Sequence, residues 1–228
     1  PARGTGAADA LRHRHEHRSH AGGGGAAVFR HPRAHPADRG ESAEEIEASV
    51  TVKEVAEFSG SMNLAHREQL EKAGFAGFIS FQKIHAEPHL VPAESGVYAV
   101  LKSSNFSAHF LNRSVGGWHK GKDPSVTVEF LKKNWVKGVD VLYFGKADAG
   151  KSAQRGLRKR LSEYVKYGSG KPRGHSGGRL IWQLRDAQNL LVCWRPCDSP
   201  RAFEKELVRK FVLEFGKRPF ANLRDGMK

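Results

Sequence analysis

The sequence has few cysteines, no long apolar run and a shortage of acidic side chains. Only Cys193 and Cys197 occur among 228 residues, too few for a disulfide-stabilised scaffold or a four-cysteine zinc site. No apolar stretch approaches the roughly 20 residues that cross a bilayer, and the N-terminus lacks the apolar core of a signal peptide. We therefore expect a reducing compartment, the cytoplasm, and no membrane partner.

The shortage of acidic residues leaves a strongly basic chain. Lysine and arginine number 38 against 24 aspartates and glutamates, for a formal net charge of +14. This excess excludes an acidic disordered chain and makes phosphate the expected partner. Hydrophobic residues make up 39% of the chain, which is enough for one core.

The N-terminal stretch differs in composition from the rest. Its first 40 residues hold 7 arginines, no lysine, 6 of the 12 histidines and a glycine run at 22–25. Such a composition cannot build a core. We expect a disordered leader over 1–45, a helical segment over 46–90 and a folded domain over 91–228. Because the first methionine is Met62, much of 1–60 is expected to be a dispensable leader or an over-extended reading frame.

Hydrophobic patterning over the folded part predicts a mixed α/β (α+β) fold. Apolar and β-branched runs predict strands at 97–101, 139–144, 179–184 and 190–195. Periodicity and end signals predict helices at 63–73, 152–167 and 199–216. The polar stretch 102–138 is predicted to be an insert between the first two strands.

The segment from Gly145 to Ser152 fits the pattern G-x-x-x-x-G-K-[ST], between a predicted strand and a predicted helix. This pattern indicates a P-loop, in which Lys151 would bind phosphates and Ser152 would bind Mg²⁺. Only 76 residues follow Ser152, however, whereas each further strand-helix unit needs about 30 residues. A nucleotide-binding fold is therefore the weaker interpretation.

One glutamate of the last predicted helix has an unusual position. At about 100° per residue, Glu204 falls inside the apolar stripe and Glu206 falls on the solvent side. A carboxylate directed into a core must be paired, protonated or bound to a metal. The residues alone leave open a salt bridge to a neighbouring arginine or a metal site.

Five sequence elements occur in an order that resembles the GIY-YIG nuclease family. They are Gly96-Val97-Tyr98, Tyr143-Phe144-Gly145 followed by Lys146, Arg160-Leu161-Ser162-Glu163-Tyr164, Glu204, and Phe220-Ala221-Asn222. Tyr164 stands where the family has histidine. The 44 residues between Tyr98 and Tyr143 form a longer insert than is usual, as in restriction-type members.

The resemblance implies a small, mainly antiparallel, three-stranded sheet flanked by helices. It also implies a DNA endonuclease that depends on Mg²⁺ or Mn²⁺ and hydrolyses phosphodiester bonds, with Glu204 as the metal ligand. Tyr98 is the first choice for the general base and Tyr143 the second. The implied catalytic set is Tyr98, Tyr143, Lys146, Arg160, Tyr164, Glu204 and Asn222.

Basic segments around this set are expected to contact double-stranded DNA. Trp118 and Trp135 of the insert are expected to stack on DNA. A nucleoid-associated bacterial location follows from this partner, and a homodimer is expected if a palindrome is cut on both strands. The alternative function is a DNA-binding module that has the fold without cleavage. The expected DNA contacts are Arg155, Arg158, Lys159, Lys171, Arg173, His175 and Arg179.

Overall fold

The computed structural model describes residues 64–118, 120–150, 155–172 and 177–223. The expected leader over 1–45 and the beginning of the expected helical segment lie outside the described residues. So do Lys151 and Ser152 of the P-loop-like pattern.

Four strands and five α-helices make up the regular structure of the described residues. In chain order they are α1 (Arg67–Lys72), β1 (Ala76–Ser80), α2 (Phe81–Ala86), β2 (Gly96–Leu101), α3 (Val128–Asn134), β3 (Val141–Ala147), α4 (Leu157–Gly168), β4 (Leu191–Pro196) and α5 (Pro200–Phe215). Short 3₁₀ helices cover Pro88–Leu90, Arg179–Gln183 and Ala187–Asn189. None of the described helices is long and apolar enough to cross a membrane.

The strands form one antiparallel sheet in the order β1-β4-β2-β3. The mixed α/β class with an antiparallel sheet is as predicted, but the expected count of three strands is wrong. The additional strand, β1, lies at an edge and is poorly buried. Gly77 and Phe78 have positive φ angles, and the pairing with β4 shifts between Ala76 and Ile79. This irregularity removes the alternation that would have indicated a strand.

The predicted strand at 179–184 is also wrong. Residues Arg179–Gln183 form a 3₁₀ helix, and Leu184 makes a single β-bridge with Phe110. The Trp182 ring lies against Gly168 so closely that a Cβ at that glycine would overlap it. A short apolar run is compatible with a strand or a buried turn of helix, and here tertiary packing selected the helix.

The sheet separates two apolar layers. On β2, Tyr98 and Val100 face the layer that contains α4, whereas Val97 and Ala99 face the layer that contains α5. Both faces of the strand are therefore buried, which explains its uninterrupted apolar sequence. Helix α5 has the predicted ends, with proline in its first turn and Gly216 in the left-handed conformation at its C-cap.

The insert over 102–138 packs against the core and contains α3. The buried side chain of Gln183 holds it, because Gln183 Oε1 accepts from the Val126 N–H at 2.9 Å and Gln183 Nε2 donates to the carbonyls of Leu111 and Val126 at 2.9 and 2.6 Å. Trp135, which was expected to stack on DNA, instead packs with its ring centroid 5.6 Å from Phe110 and 5.1 Å from Phe220.

Replacing Gln183 with methionine, which has a similar volume, should lower the free energy of unfolding by about 1–3 kcal/mol. The reason is that buried backbone groups of the insert would lose their hydrogen-bond partners. Urea unfolding of the full chain measures the change. Gln188→Met is the matched control, because Gln188 is exposed and its replacement should leave the unfolding midpoint unchanged. Equal midpoints for both variants would contradict the anchoring role.

Candidate active site

A cleft of about 640 Å³ lies along β3, an edge strand of the sheet. Helix α4 bounds the cleft from one layer and helix α5 from the other, and the segment around Asn222 closes one end. The lining residues are Tyr143, Lys146, Ala147, Asp148, Arg155, Lys159, Arg160, Glu163, Gly177, Arg179, Glu204, Val208, Ala221, Asn222 and Leu223.

An ion pair within this cleft joins β3 to α5. Lys146 Nζ on β3 lies 2.8 Å from Glu204 Oε2 on α5, although 58 residues separate them in the chain. Glu204 is only 8% exposed, so the buried position predicted from periodicity is confirmed, and its partner is a lysine. Glu206, which was predicted to face solvent, is partly exposed. Its side chain is 14% exposed, and Arg209, three residues on, donates two hydrogen bonds of 2.7 Å to its carboxylate.

Three tyrosine rings pack together beneath and beside the ion pair. The Tyr98 ring centroid lies 5.9 Å from Tyr143 and 6.5 Å from Tyr164, and the latter two are 6.2 Å apart. Tyr143 lines the cleft, whereas Tyr98 is fully buried behind it. Gly145 makes this packing possible, because a Cβ there would lie 2.6 Å from the Tyr98 hydroxyl oxygen and 2.8 Å from the Tyr143 ring.

Sterics also explain why the first residue of β2 is a glycine. A Cβ on Gly96 would lie 2.5 Å from the Arg195 carbonyl oxygen of β4 and 2.8 Å from Leu157 Cδ1 of α4. Glycine therefore allows β4 and α4 to approach β2 at this position. The close approach of α4 is what brings Arg160 to the cleft.

Burial controls the ionisation of the tyrosines. It raises the pKa of Tyr98 above its usual value, although the nearby Arg160 guanidinium acts in the opposite direction. Burial likewise places the pKa of Tyr143 and of Tyr164 well above the usual value. Desolvation therefore outweighs the field of Arg160 at each of these tyrosines.

Arg160 is the arginine of α4 that reaches the cleft. Its Nε atom is buried and makes no well-oriented hydrogen bond with a described residue, and neither does the Tyr98 hydroxyl. The Arg160 guanidinium does interact electrostatically with Tyr98 and Tyr143. Arg158, two residues earlier, points elsewhere, since its Nε donates to the Val91 carbonyl at 2.8 Å. The structure thus distinguishes two arginines that sequence periodicity does not separate.

Two residues of the predicted set make structural contacts. The Tyr164 hydroxyl is buried and donates to the Gly178 carbonyl at 2.6 Å. The Asn222 side chain accepts from the Phe144 N–H and donates to the Phe144 carbonyl, both at 2.9 Å. Asn222 thereby fastens the C-terminal segment along the outer edge of β3, where backbone groups would otherwise lack partners.

The expected DNA contacts separate into three groups. Arg155, Lys159 and Arg179 line the cleft. Arg158 and Lys171 do not, and Lys171 is exposed. Arg173 and His175 lie outside the described residues.

Sequence reasoning missed two carboxylates of the cleft, Asp148 and Glu163. The carboxylate of Glu163 lies 3.8 Å from Lys159 Nζ. Its position three residues after Arg160 on α4 was a usable signal, because such residues share a helix face.

The cleft can offer a metal ion one buried carboxylate. Among the described residues no group of three or more His, Cys, Asp or Glu side chains could hold a metal. Lys146 occupies Oε2 of Glu204, and no described residue donates to Oε1. One carboxylate is a sufficient protein ligand for Mg²⁺ where waters and a substrate phosphate complete the shell. The residues therefore fit Mg²⁺, and they do not fit a metal held by protein ligands alone.

Comparisons of the chain with family models, with curated proteins and with solved structures found no match. The side chains of the cleft and the order of their motifs are therefore the basis for assigning a function.

We expect the four tyrosines, Tyr98, Tyr143, Tyr164 and Tyr167, to ionise above their usual pKa in the folded protein, since burial raises the pKa of each. Below about pH 10 the neutral phenols stabilise the folded state, and this stabilisation is lost as the pH rises through the raised pKa values. Ultraviolet titration of phenolate measures this, with the urea-denatured chain as control, which should titrate near pH 10. A folded-state phenolate near neutral pH would contradict the expectation.

Proposed function

We propose that this chain is a metal-dependent DNA endonuclease of the GIY-YIG type, which hydrolyses phosphodiester bonds with Mg²⁺ or Mn²⁺. One observation carries the proposal. Tyr143, Lys146, Arg160 and Glu204, which come from β3, α4 and α5, converge on one cleft.

The charges of the cleft suit a phosphodiester. Five cationic side chains, Lys146, Arg155, Lys159, Arg160 and Arg179, face the carboxylates of Asp148, Glu163 and Glu204. The excess of positive charge attracts the DNA backbone without selecting a sequence. Sequence recognition would fall to the insert over 102–138, since base edges must be read by elements outside the cleft.

Glu204 is the residue that would hold the metal ion. A bound Mg²⁺ supplies Lewis acidity toward a phosphate oxygen and charge stabilisation of the leaving oxygen. Lys146 is placed to keep the Glu204 carboxylate oriented toward the cleft, because its ammonium contacts Oε2.

Tyr143 is the phenol we propose as general base, ahead of Tyr98. Tyr143 lines the cleft, whereas Tyr98 is fully buried behind it. To accept a proton from water, Tyr143 must first lose its own proton to solvent and become a phenolate, and the desolvation that raises its pKa opposes that ionisation. Arg160, which already acts against that rise, is the nearby cation that assists, and its guanidinium would also stabilise negative charge on the phosphate.

A DNA-binding module without cleavage is the second candidate, and one observation favours it. The Lys146 ammonium already satisfies one oxygen of Glu204, so the buried carboxylate has a partner without any metal. The P-loop interpretation has no such support. Residues 145–147 belong to β3, and the sheet is antiparallel throughout, whereas a P-loop connects a strand of a parallel sheet to a helix.

Glu204→Gln should lower metal-dependent cleavage by about 10²-fold or more, because loss of the metal ligand removes several kcal/mol of transition-state stabilisation. The assay compares supercoiled plasmid and genomic DNA, modified and unmodified, with and without Mg²⁺. Glu206→Gln is the matched control on the same helix and should cut at the rate of the unaltered protein.

Equal cutting by the Glu204→Gln variant and the unaltered protein would mean that Glu204 holds no catalytic metal. Binding of DNA by both proteins without cutting of any substrate would favour the binding module. A DNA mobility-shift measurement on both proteins separates these outcomes.

A further inference from the structure

Arg179 has the same unusual feature as Arg160. The Nε atoms of both side chains are buried and lack a hydrogen-bond partner in the described part of the chain, and both side chains line the cleft. We propose that Arg179 is a second arginine of the phosphate site, and that Arg160 and Arg179 bind one phosphate group together. This inference rests on the proposed function and assigns two ligands to its scissile phosphate.

Three other cations line the cleft: Arg155 is exposed, and each of the two lysines has a carboxylate partner. Lys146 pairs with Glu204 at 2.8 Å and Lys159 with Glu163 at 3.8 Å. Within residues 64–118, 120–150, 155–172 and 177–223, no carboxylate forms an ion pair with Arg160 or Arg179. A buried N–H without an acceptor is costly, so it persists where a ligand supplies the acceptor. The planar guanidinium fork matches phosphate oxygens in geometry and in charge.

The backbone before Arg179 is held against the tyrosines. A Cβ on Gly177 would lie 2.6 Å from the Tyr143 hydroxyl, and one on Gly178 would lie 3.0 Å from the Tyr143 ring and overlap the Tyr164 hydroxyl. Gly178 also has a φ of +70°, which favours glycine. The Tyr164 hydroxyl then donates to the Gly178 carbonyl at 2.6 Å.

Packing also holds the chain after Arg179. Leu180, Ile181 and Trp182 of the 3₁₀ helix are buried. The backbone on both sides of Arg179 is thus held in place by packing. This fixes the point from which the Arg179 side chain extends. Tyr164 is a positioning residue in this arrangement, because it acts through the Gly178 carbonyl and does not line the cleft.

The test is a titration of the full chain with inorganic phosphate, without metal, observed through the arginine Nε–H signals in nitrogen-15 NMR spectra. Arg160→Lys and Arg179→Lys identify the two signals. Both signals should move together with one dissociation constant. Arg179→Lys should weaken phosphate binding about tenfold or more. Arg185→Lys is the control, because Arg185 is exposed and lies outside this cleft, and it should bind phosphate as the unaltered protein does.

Tyr164→Phe tests the positioning role in the same titration. It should abolish or weaken the response of the Arg179 signal while the Arg160 signal still moves, which a general loss of stability would not produce. The coupled response is measured on the unaltered protein. The proposal therefore stays testable even if a variant fails to fold. In the unaltered protein, independent movement of the two signals, or movement of the Arg160 signal alone, would overturn the proposal.

Cleavage then separates the phosphate site from the proposed function. If the unaltered protein cuts DNA, Arg179→Lys should slow cutting at saturating DNA by about 10²-fold, and an unchanged rate would overturn the two-arginine site while the nuclease stands. A coupled phosphate response in a protein that cuts no DNA would support the site and contradict the nuclease.

Discussion

The fold around the cleft depends on the packing of three tyrosine rings against glycine backbone. Tyr98, Tyr143 and Tyr164 occupy space that a Cβ at Gly145, Gly177 or Gly178 would take. This constraint sets how closely β2, β3 and α4 approach one another, and it also places the chain that carries Arg179. Burial raises the pKa of the Tyr164 phenol, and its neutral hydroxyl donates to the Gly178 carbonyl. The same rings thus hold the fold together and shape one wall of the cleft.

The charge that the cleft presents to a ligand depends on which of its charged side chains form ion pairs within the protein. Lys146 and Glu204 neutralise each other within the cleft at 2.8 Å, so that a carboxylate can be nearly buried without an isolated charge. Arg160 and Arg179 have no such partner in the described chain. Buried guanidinium groups without a carboxylate partner suit a ligand that brings negative charge, which is the basis of the proposed phosphodiester ligand.

Sequence patterns predicted the central strands, α5 and the burial of Glu204, because these depend on local periodicity and on end signals such as Pro200 and Gly216. They failed for β1, where positive φ angles interrupt the alternation, and for 179–184, where an apolar run folds as a 3₁₀ helix against Gly168.

The sequence by itself determined the basic charge, the mixed α/β class, the buried glutamate of α5 and the order of the motifs, because each is a property of composition or of residues close in the chain. Only the tertiary structure decided that Lys146 is the partner of Glu204, that Arg160 and not Arg158 reaches the cleft, and that Asn222 binds the backbone of Phe144. It also decided that Arg179 lines the same cleft with a buried Nε atom. These contacts join residues far apart in sequence. They can form because a few glycines have no Cβ, which lets β3, α4 and the chain before Arg179 lie close to one another.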